Sequence, residues 1–136
     1  MNKVTVRKQA STGYTISGAV VRIDARSQDV DTRYRHELPG EIKVLIEDAL
    51  EQYRNIYTQM NDIDIYASPE NEDEWMTLKV EARELITHTE KVASAMLSLP
   101  VFEAHREEKG YKPGWTFYRL KDEYGYEIAN KVMPRE

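Results

Sequence analysis

The chain has 136 residues, a net charge of −5 and no cysteine. This length predicts a single domain, residues 1–136, with enough buried surface to fold without cross-links. The lack of cysteine excludes disulfides and thiolate metal ligands. No apolar run approaches the roughly 18 to 20 residues that a membrane-spanning helix needs, and residues 1–7 lack the apolar stretch of a secretory signal. We therefore expect a cytoplasmic protein without a membrane partner.

Charge is distributed unevenly along the chain. Residues 1–40 carry 7 basic and 4 acidic side chains, residues 41–100 carry 5 and 13, and residues 101–136 carry 7 and 7. The acidic middle segment would repel the phosphates of nucleic acid and would suit a basic protein partner. Ordinary solvation of a surface explains the same charge, and both interpretations stay open.

Residues 1–38 are predicted to form a three-stranded antiparallel meander. β-Branched and aromatic residues are concentrated at 4–6, 14–23 and 30–38, as is typical of strands. Serine, glycine and aspartate between these runs indicate turns. Because so small a sheet is marginally stable alone, we expect it to pack on helices.

Two apolar series at heptad spacing predict a long antiparallel helical hairpin over residues 41–99. The first series comprises Ile42, Ile46, Ala49, Tyr53, Ile56, Met60 and Ile63. The second comprises Trp75, Leu78, Ala82, Leu85, Thr89, Val92, Met96 and Leu99. Alternating steps of three and four residues keep one apolar seam on each helix. Leu45, Leu50, Tyr57 and Ile86 widen this seam, which predicts a homodimer or a higher homo-oligomer.

Local signals set the predicted helix ends. Ser68 is placed to cap the second helix, because Pro69 follows it at the first helical position. Pro100 is predicted to stop that helix and to begin a short one that Gly110 closes. A last helix is predicted over residues 115–124. The fold class is therefore α+β, with a short two-helix tail over residues 100–136.

The segment 109–121 interleaves four aromatic with four basic residues. Aromatic rings stack on nucleic-acid bases while Lys and Arg contact phosphates, so this mixture is typical of nucleic-acid binding. The predicted contact residues are Lys112, Trp115, Tyr118, Arg119 and Lys121. The alternative is that Tyr111, Trp115 and Tyr118 are core residues that dock the tail onto the hairpin.

This segment also resembles a known element. Gly-Tyr-Lys-Pro-Gly-Trp at 110–115, an aromatic helix and then Glu-Tyr-Gly at 123–125 resemble a short helical element in the tails of DEAD/DEAH-box helicases and in small accessory proteins of phages and mobile elements. The resemblance implies an association with nucleic-acid machinery. It implies no helicase or NTPase activity, because the chain has no phosphate-binding Gly-x-x-x-x-Gly-Lys-Ser/Thr loop.

A second predicted binding site consists of Arg33 and Arg35. Residues two apart on a strand share a face, so the two side chains form a paired cationic site for a phosphate or a carboxylate. The alternative is a solvated face that discourages edge-to-edge pairing of the sheet.

Paired carboxylates on the hairpin provide the least unlikely enzyme prediction, a nucleotide hydrolase. Asp48 with Glu51 and Glu81 with Glu84 are spaced like the magnesium ligands of all-α nucleotide pyrophosphohydrolases. The heptad register places three of these four on outer positions, with only Glu81 beside the seam, whereas a buried metal site needs inward carboxylates. His36, His88 and His105 lack metal-binding spacing. We therefore predict no catalytic residue, metal or cofactor.

The predicted function is a non-enzymatic binding or regulatory protein associated with nucleic-acid machinery, of phage or mobile-element origin. Its partner would be nucleic acid or a nucleic-acid-binding protein. The alternative is a phage counter-defence inhibitor such as an anti-CRISPR protein. That inhibitor would use the acidic hairpin tip as a nucleic-acid mimic, or its arginines and aromatic residues to sequester a signalling nucleotide.

Overall fold

The computed structural model describes residues 5–8, 20–32 and 38–134. The fold class is α+β and mostly helical, as predicted. The strands are β1 Thr5–Lys8, β2 Val21–Asp24 and β3 Asp29–Thr32, and the helices are α1 Gly40–Asn61, α2 Pro69–Lys109, α3 Trp115–Tyr124 and α4 Tyr126–Val132. Across the described ranges, no helix combines the length and the apolar character needed to cross a bilayer.

The sheet order is β1-β3-β2, and this differs from the predicted meander. β2 and β3 are antiparallel, with Ile23 opposite Val30, whereas β1 runs parallel to β3, with Val6 beside Val30. The prediction of an all-antiparallel sheet is therefore wrong at β1. Alternation of residues sets which face of a strand is buried but not which strand lies beside it, and the fully buried Val30 and Thr32 belong to the central strand.

The sheet packs on both long helices. Its buried side chains and Leu38 form one core cluster with the first half of α1 and with Ala93 and Leu97 of α2. The strand backbone also binds α2 directly, because the N–H groups of Val20 and Val21 donate to Ser94 Oγ at 3.2 and 3.0 Å. The small residues at 93–95 permit this close approach of a strand to a helix.

Helices α1 and α2 pack antiparallel, as predicted. Ile42 and Ile46 at the start of α1 share a core cluster with Leu97, while Ile56 and Met60 near its end cluster with Ala82. The α1 seam is largely buried. In α2, by contrast, residues 92–98 are buried almost all round, because the sheet, α1 and the tail helices surround them.

The predicted break at Pro100 is wrong, because α2 continues through it to Lys109. An internal proline removes one helical hydrogen bond and crowds the preceding turn, at a cost of about 3 kcal/mol. Leu99 and Phe102, on either side of it, pack against the tail helices, and this packing offsets the cost. Pro100 itself lies on the exposed side of α2.

Other local predictions are confirmed. Ser68 Oγ accepts from the Asn71 N–H at 3.2 Å with Pro69 at the first helical position, and Gly110 ends α2 with a φ of 69°. Helix α3 occupies residues 115–124. The predicted two-helix tail is only partly right, because the short helix predicted between Pro100 and Gly110 is the end of α2 and α4 was not predicted. Helices α3 and α4 pack on α2 through Phe117, Leu120 and Ile128.

Candidate nucleic-acid interface

The turn between α2 and α3 and the first turn of α3 form an open depression of about 580 Å³. It is lined by Gly110, Tyr111, Lys112, Gly114, Trp115 and Tyr118. We call these six residues, together with Lys121 at their edge, the aromatic surface. It brings together four of the predicted contact residues: Lys112, Trp115, Tyr118 and Lys121.

The turn is held in place by its own backbone. Gly110 adopts a left-handed conformation that favours glycine, and the Tyr111 N–H donates to the Arg106 carbonyl at 3.0 Å. Arg106 is fixed in turn by an ion pair with Glu103 at 2.7 Å. The Trp115 N–H then donates to the Lys112 carbonyl at 2.9 Å and starts α3. The depression is therefore built on an ordered turn between two helices.

Trp115 has features of both predicted roles, that of a contact residue and that of a core residue. The ring is half-buried. Its centroid lies 5.2 Å from that of Tyr111, 5.5 Å from that of His105 and 6.3 Å from that of Phe102, so Trp115 packs in a cluster of rings. It also lines the depression. Trp115 therefore supports the neighbouring rings while one part of its surface stays accessible.

Tyr111 and Tyr118 are the accessible rings of this surface. Their exposed fractions are 43% and 52%, so neither is the core residue that the alternative prediction requires. Tyr118 is oriented by an edge contact with buried Phe117, with ring centroids 6.0 Å apart. Exposed aromatic rings grouped around one depression are typical of a binding surface.

Two exposed lysines lie at this surface. Lys112 lines the depression, and Lys121 Nζ lies 5.8 Å from the centre of the Tyr118 ring. Neither forms an ion pair with another described residue. They can therefore contact an anion that lies across the rings.

Arg119 is placed differently from the prediction. Its guanidinium forms an ion pair with Glu123 and lies 4.8 Å from the centre of the Phe102 ring. It does not line the depression. A phosphate would have to displace Glu123 to reach it, so in this structure Arg119 holds α3 against α2.

Arg33 and Arg35, the second predicted site, lie outside the described residues. Strand β3 is described as far as Thr32, and the chain is described again from Leu38. The paired cationic site therefore stays a prediction.

The four carboxylates of the predicted nucleotide-hydrolase pairs all lie on the surface. Asp48, Glu51 and Glu84 are exposed, as their register predicts, and Glu81 is exposed as well. Within the described ranges, no group of three or more His, Asp or Glu residues could hold a metal ion. The acidic tip is also exposed, at Asp62, Asp64, Glu70, Glu72, Asp73 and Glu74.

The sequence interpretation missed a second pocket, of about 460 Å³, between the β2–β3 turn and the long helices. It is lined by Ile23, Asp24, Ala25, Arg26, Tyr53, Tyr57, Lys79, Arg83, Ile86, Thr87 and Glu90. We call it the Tyr57 pocket. Its signals in the sequence were two tyrosines and two basic residues, each pair four apart on a helix. Neither pair predicts a pocket without knowledge of what packs opposite it.

Two groups in the Tyr57 pocket have perturbed pKa values. Burial, with a hydrogen bond to Tyr57 adding to it, raises the pKa of Tyr53 to about 12. Burial also raises the pKa of the Glu90 carboxyl, while the Ile23 N–H and the charge of Arg22 lower it. That N–H donates to Glu90 Oε2 at 2.7 Å. The carboxyl thus joins the sheet to α2 at an energetic cost of partial desolvation.

No protein-family model, curated protein or solved structure matches this chain. The resemblance of residues 110–125 to helicase tails and phage accessory proteins therefore depends on those residues alone and stays a prediction. Evidence on function comes from the residues and their geometry.

Proposed function

We propose that this chain is a non-enzymatic binding protein that holds single-stranded nucleic acid on the aromatic surface. The observation that carries the proposal is the pair of half-exposed rings, Tyr111 and Tyr118, around one open depression with Trp115 in it. Unpaired bases stack on such rings, and each stacked base contributes about 1 to 3 kcal/mol.

The shape of the surface favours a single strand over a duplex. The depression is open and is lined by ring faces and edges, and a ring can stack on a base only when that base is not already stacked in a helix. No extended basic groove accompanies it, since Lys112 and Lys121 are its only cations without an ion pair to a described residue. The phosphates of a duplex would gain little from two lysines.

The charge of the chain predicts weak and salt-sensitive binding. With a net charge of −5, long-range attraction to nucleic acid is absent, so local contacts provide the affinity. Each phosphate contact to a single strand contributes about 0.7 to the slope of log K against log salt concentration. Two lysines therefore predict a slope of about −1.4, and replacing both by alanine should flatten it.

The test is fluorescence anisotropy with a labelled oligothymidine at low salt. We expect Tyr118→Ala to weaken binding by about 5- to 150-fold, because one stacked base is lost. Tyr66→Ala is the matched control, since Tyr66 is 92% exposed at the far end of the hairpin. Trp115→Ala is less informative, because its half-buried ring also supports the core.

Equal losses in the two tyrosine variants would contradict the proposal, as would absence of binding at low salt. Circular dichroism of each variant checks that the fold is retained. The Lys112→Ala/Lys121→Ala variant has Lys43→Ala/Lys131→Ala as its control, because those two lysines are exposed on α1 and α4.

One observation favours the counter-defence alternative as a second candidate. The hairpin tip exposes six carboxylates, and no Lys or Arg lies between Arg54 and Lys79. Such a surface can mimic the phosphates of nucleic acid towards a basic protein. The test is affinity capture from cell extract with the wild-type chain and with the variant Glu70→Gln/Glu72→Gln/Asp73→Asn/Glu74→Gln.

Under this second candidate, the tip variant loses a captured nucleic-acid-binding protein that Tyr118→Ala retains. Loss of the same protein in Tyr118→Ala alone would assign its capture to the aromatic surface. Capture that is unchanged in both variants would reject the mimic.

A further inference from the structure

The Tyr57 pocket is separate from the aromatic surface. The two share no lining residue, and Glu90 and Gly110 are 20 residues apart along α2, which corresponds to about 30 Å of helix. At about 460 Å³, the pocket has the size of a site for a small organic ligand.

One wall of the pocket is aromatic. Tyr53 and Tyr57 lie one turn apart on α1, with ring centroids 4.6 Å apart and planes at 35°. Tyr57 is 36% exposed and Tyr53 is half-buried behind it. Because the pKa of Tyr53 is about 12, its hydroxyl stays protonated at neutral pH. The wall therefore offers a ring for stacking and hydroxyls for hydrogen bonding.

The opposite walls carry three cations. Lys79 and Arg83 are one turn apart on α2, and Lys79 Nζ lies 5.2 Å from the centre of the Trp75 ring. Arg26 lies on the β2–β3 turn and is close enough to lower the pKa of Tyr53 through its charge. None of the three forms an ion pair with another described residue. A bound anion would be attracted by these three charges.

The turn that carries Arg26 is ordered. Asp24 Oδ1 accepts from the N–H groups of Arg26 and Ser27 at 3.1 and 3.2 Å, and the Gln28 N–H donates to the Asp24 carbonyl at 2.7 Å. Arg26 therefore lines the pocket from an ordered backbone. This limits the entropy lost when it meets a ligand.

Glu90 provides the pocket with a hydrogen-bond acceptor beside the three cations. Its Oε2 is occupied by the Ile23 N–H, while its Oε1 has no hydrogen bond to another described residue. A partly buried carboxylate oxygen of this kind accepts from a sugar hydroxyl or from the N–H group of a base. The pocket therefore combines a stacking ring, an anion site and a polar acceptor.

We infer that the Tyr57 pocket binds a nucleoside phosphate. Its base stacks on Tyr57, its phosphate contacts Arg83, Lys79 and Arg26, and Glu90 accepts from its sugar or base. A nucleoside phosphate uses the ring, the cations and the acceptor together, whereas inorganic phosphate leaves the ring unused and a nucleoside leaves the cations unused. The inference is independent of the function proposed for the aromatic surface.

The test is isothermal titration calorimetry of the full chain with GMP and AMP, and with guanosine and inorganic phosphate as partial ligands. We expect a nucleotide to bind at least about tenfold more tightly than either partial ligand, and Arg83→Ala to weaken it by about tenfold or more. Arg54→Ala is the matched control, because Arg54 lies on α1 but does not line the pocket.

Absence of binding of both nucleotides at millimolar concentration would overturn the inference, and so would equal losses in the two arginine variants. Tighter binding of inorganic phosphate than of nucleotide would overturn it as well. Arg83→Ala should leave oligothymidine binding unchanged, and Tyr118→Ala should leave nucleotide binding unchanged. The two variants therefore distinguish a wrong assignment of the nucleotide site from a wrong assignment of the oligothymidine site.

Discussion

At the scale of single residues, Glu90 connects the sheet, α2 and the Tyr57 pocket. Its carboxyl satisfies the Ile23 N–H at the edge of the sheet, and burial raises its pKa above the usual 4.5. A carboxyl whose pKa is higher in the folded state binds its proton more tightly there than in the unfolded state. The stability of the fold therefore decreases as the pH rises from about 4.5 to the raised pKa, and this loss is complete above it.

Two substitutions of Glu90 test this decrease in stability with rising pH. Glu90→Gln keeps an oxygen acceptor for the Ile23 N–H but cannot ionise, so we expect it to melt above the wild type at neutral pH. The difference in melting temperature between Glu90→Gln and the wild type should vanish when the pH falls below the usual carboxyl pKa. Glu90→Ala removes the acceptor and should cost about 1 to 3 kcal/mol. Thermal melts from acid to neutral pH measure both effects, and equal destabilisation by both variants at neutral pH would contradict this account.

At the scale of elements, α2 organises the molecule. Its first half packs on α1, and its second half contacts the sheet, α1 and the tail helices. Its last turns and the Gly110 turn present the aromatic surface. One continuous helix therefore sets the separation between the aromatic surface and the Tyr57 pocket, although Pro100 interrupts its hydrogen bonding.

We expect Pro100→Ala to stabilise the chain by about 1 to 3 kcal/mol, because it restores a backbone donor and relieves crowding in the preceding turn. Pro100 is exposed, so the substitution opens no cavity. Urea denaturation measures the change. Val101→Ala is a neighbouring control that leaves the helix backbone intact, since Val101 is 40% exposed. A loss of stability in Pro100→Ala would show that packing of Phe102 needs the backbone geometry that proline imposes.

At the scale of the whole molecule, the sheet and the tail cover much of the apolar surface that predicted a homo-oligomer. Leu50 is fully buried, and Leu45 and Ile86 are partly buried, within a single chain. Tyr57 lines its own pocket. A single chain thus leaves less apolar surface for a second copy to cover than the heptad pattern alone indicates, and self-association stays a prediction.

Light scattering at tens of micromolar measures the oligomeric state. The sequence-based prediction is twice the chain mass of 15.9 kDa. A monomer would show that the sheet and the tail suffice to cover the widened stripe. If a dimer forms, Val44→Lys on α1 tests whether that 56% exposed side chain lies in the interface, with Tyr66→Lys as the control at the tip.

At the candidate site, the sequence determined which residues lie close together but not which of their side chains are free to contact a ligand. Lys112, Trp115, Tyr118 and Lys121 are near one another because they are neighbours in the chain, and the pattern found them. The ion pair of Arg119 with Glu123 is an i,i+4 pair on α3, so the sequence contained this signal and the prediction overlooked it, whereas the contact of Arg119 with Phe102 depends on how α3 lies beside α2. The Tyr57 pocket could not be predicted from the sequence pattern, because residues of β2, α1 and α2 meet there only after folding.

For the fold, the sequence by itself determined the features that depend on a few adjacent residues. The Ser68 cap, the left-handed Gly110, the bounds of α3 and the buried seam of α1 are of this kind, because side-chain capping, backbone φ and helical periodicity act within one or two turns. Only the tertiary structure decided that β3 lies between β1 and β2 and that α2 continues through Pro100. Both depend on the free energy of distant contacts, since the buried face of Val30 selects the central strand and the packing around Phe102 offsets the missing hydrogen bond.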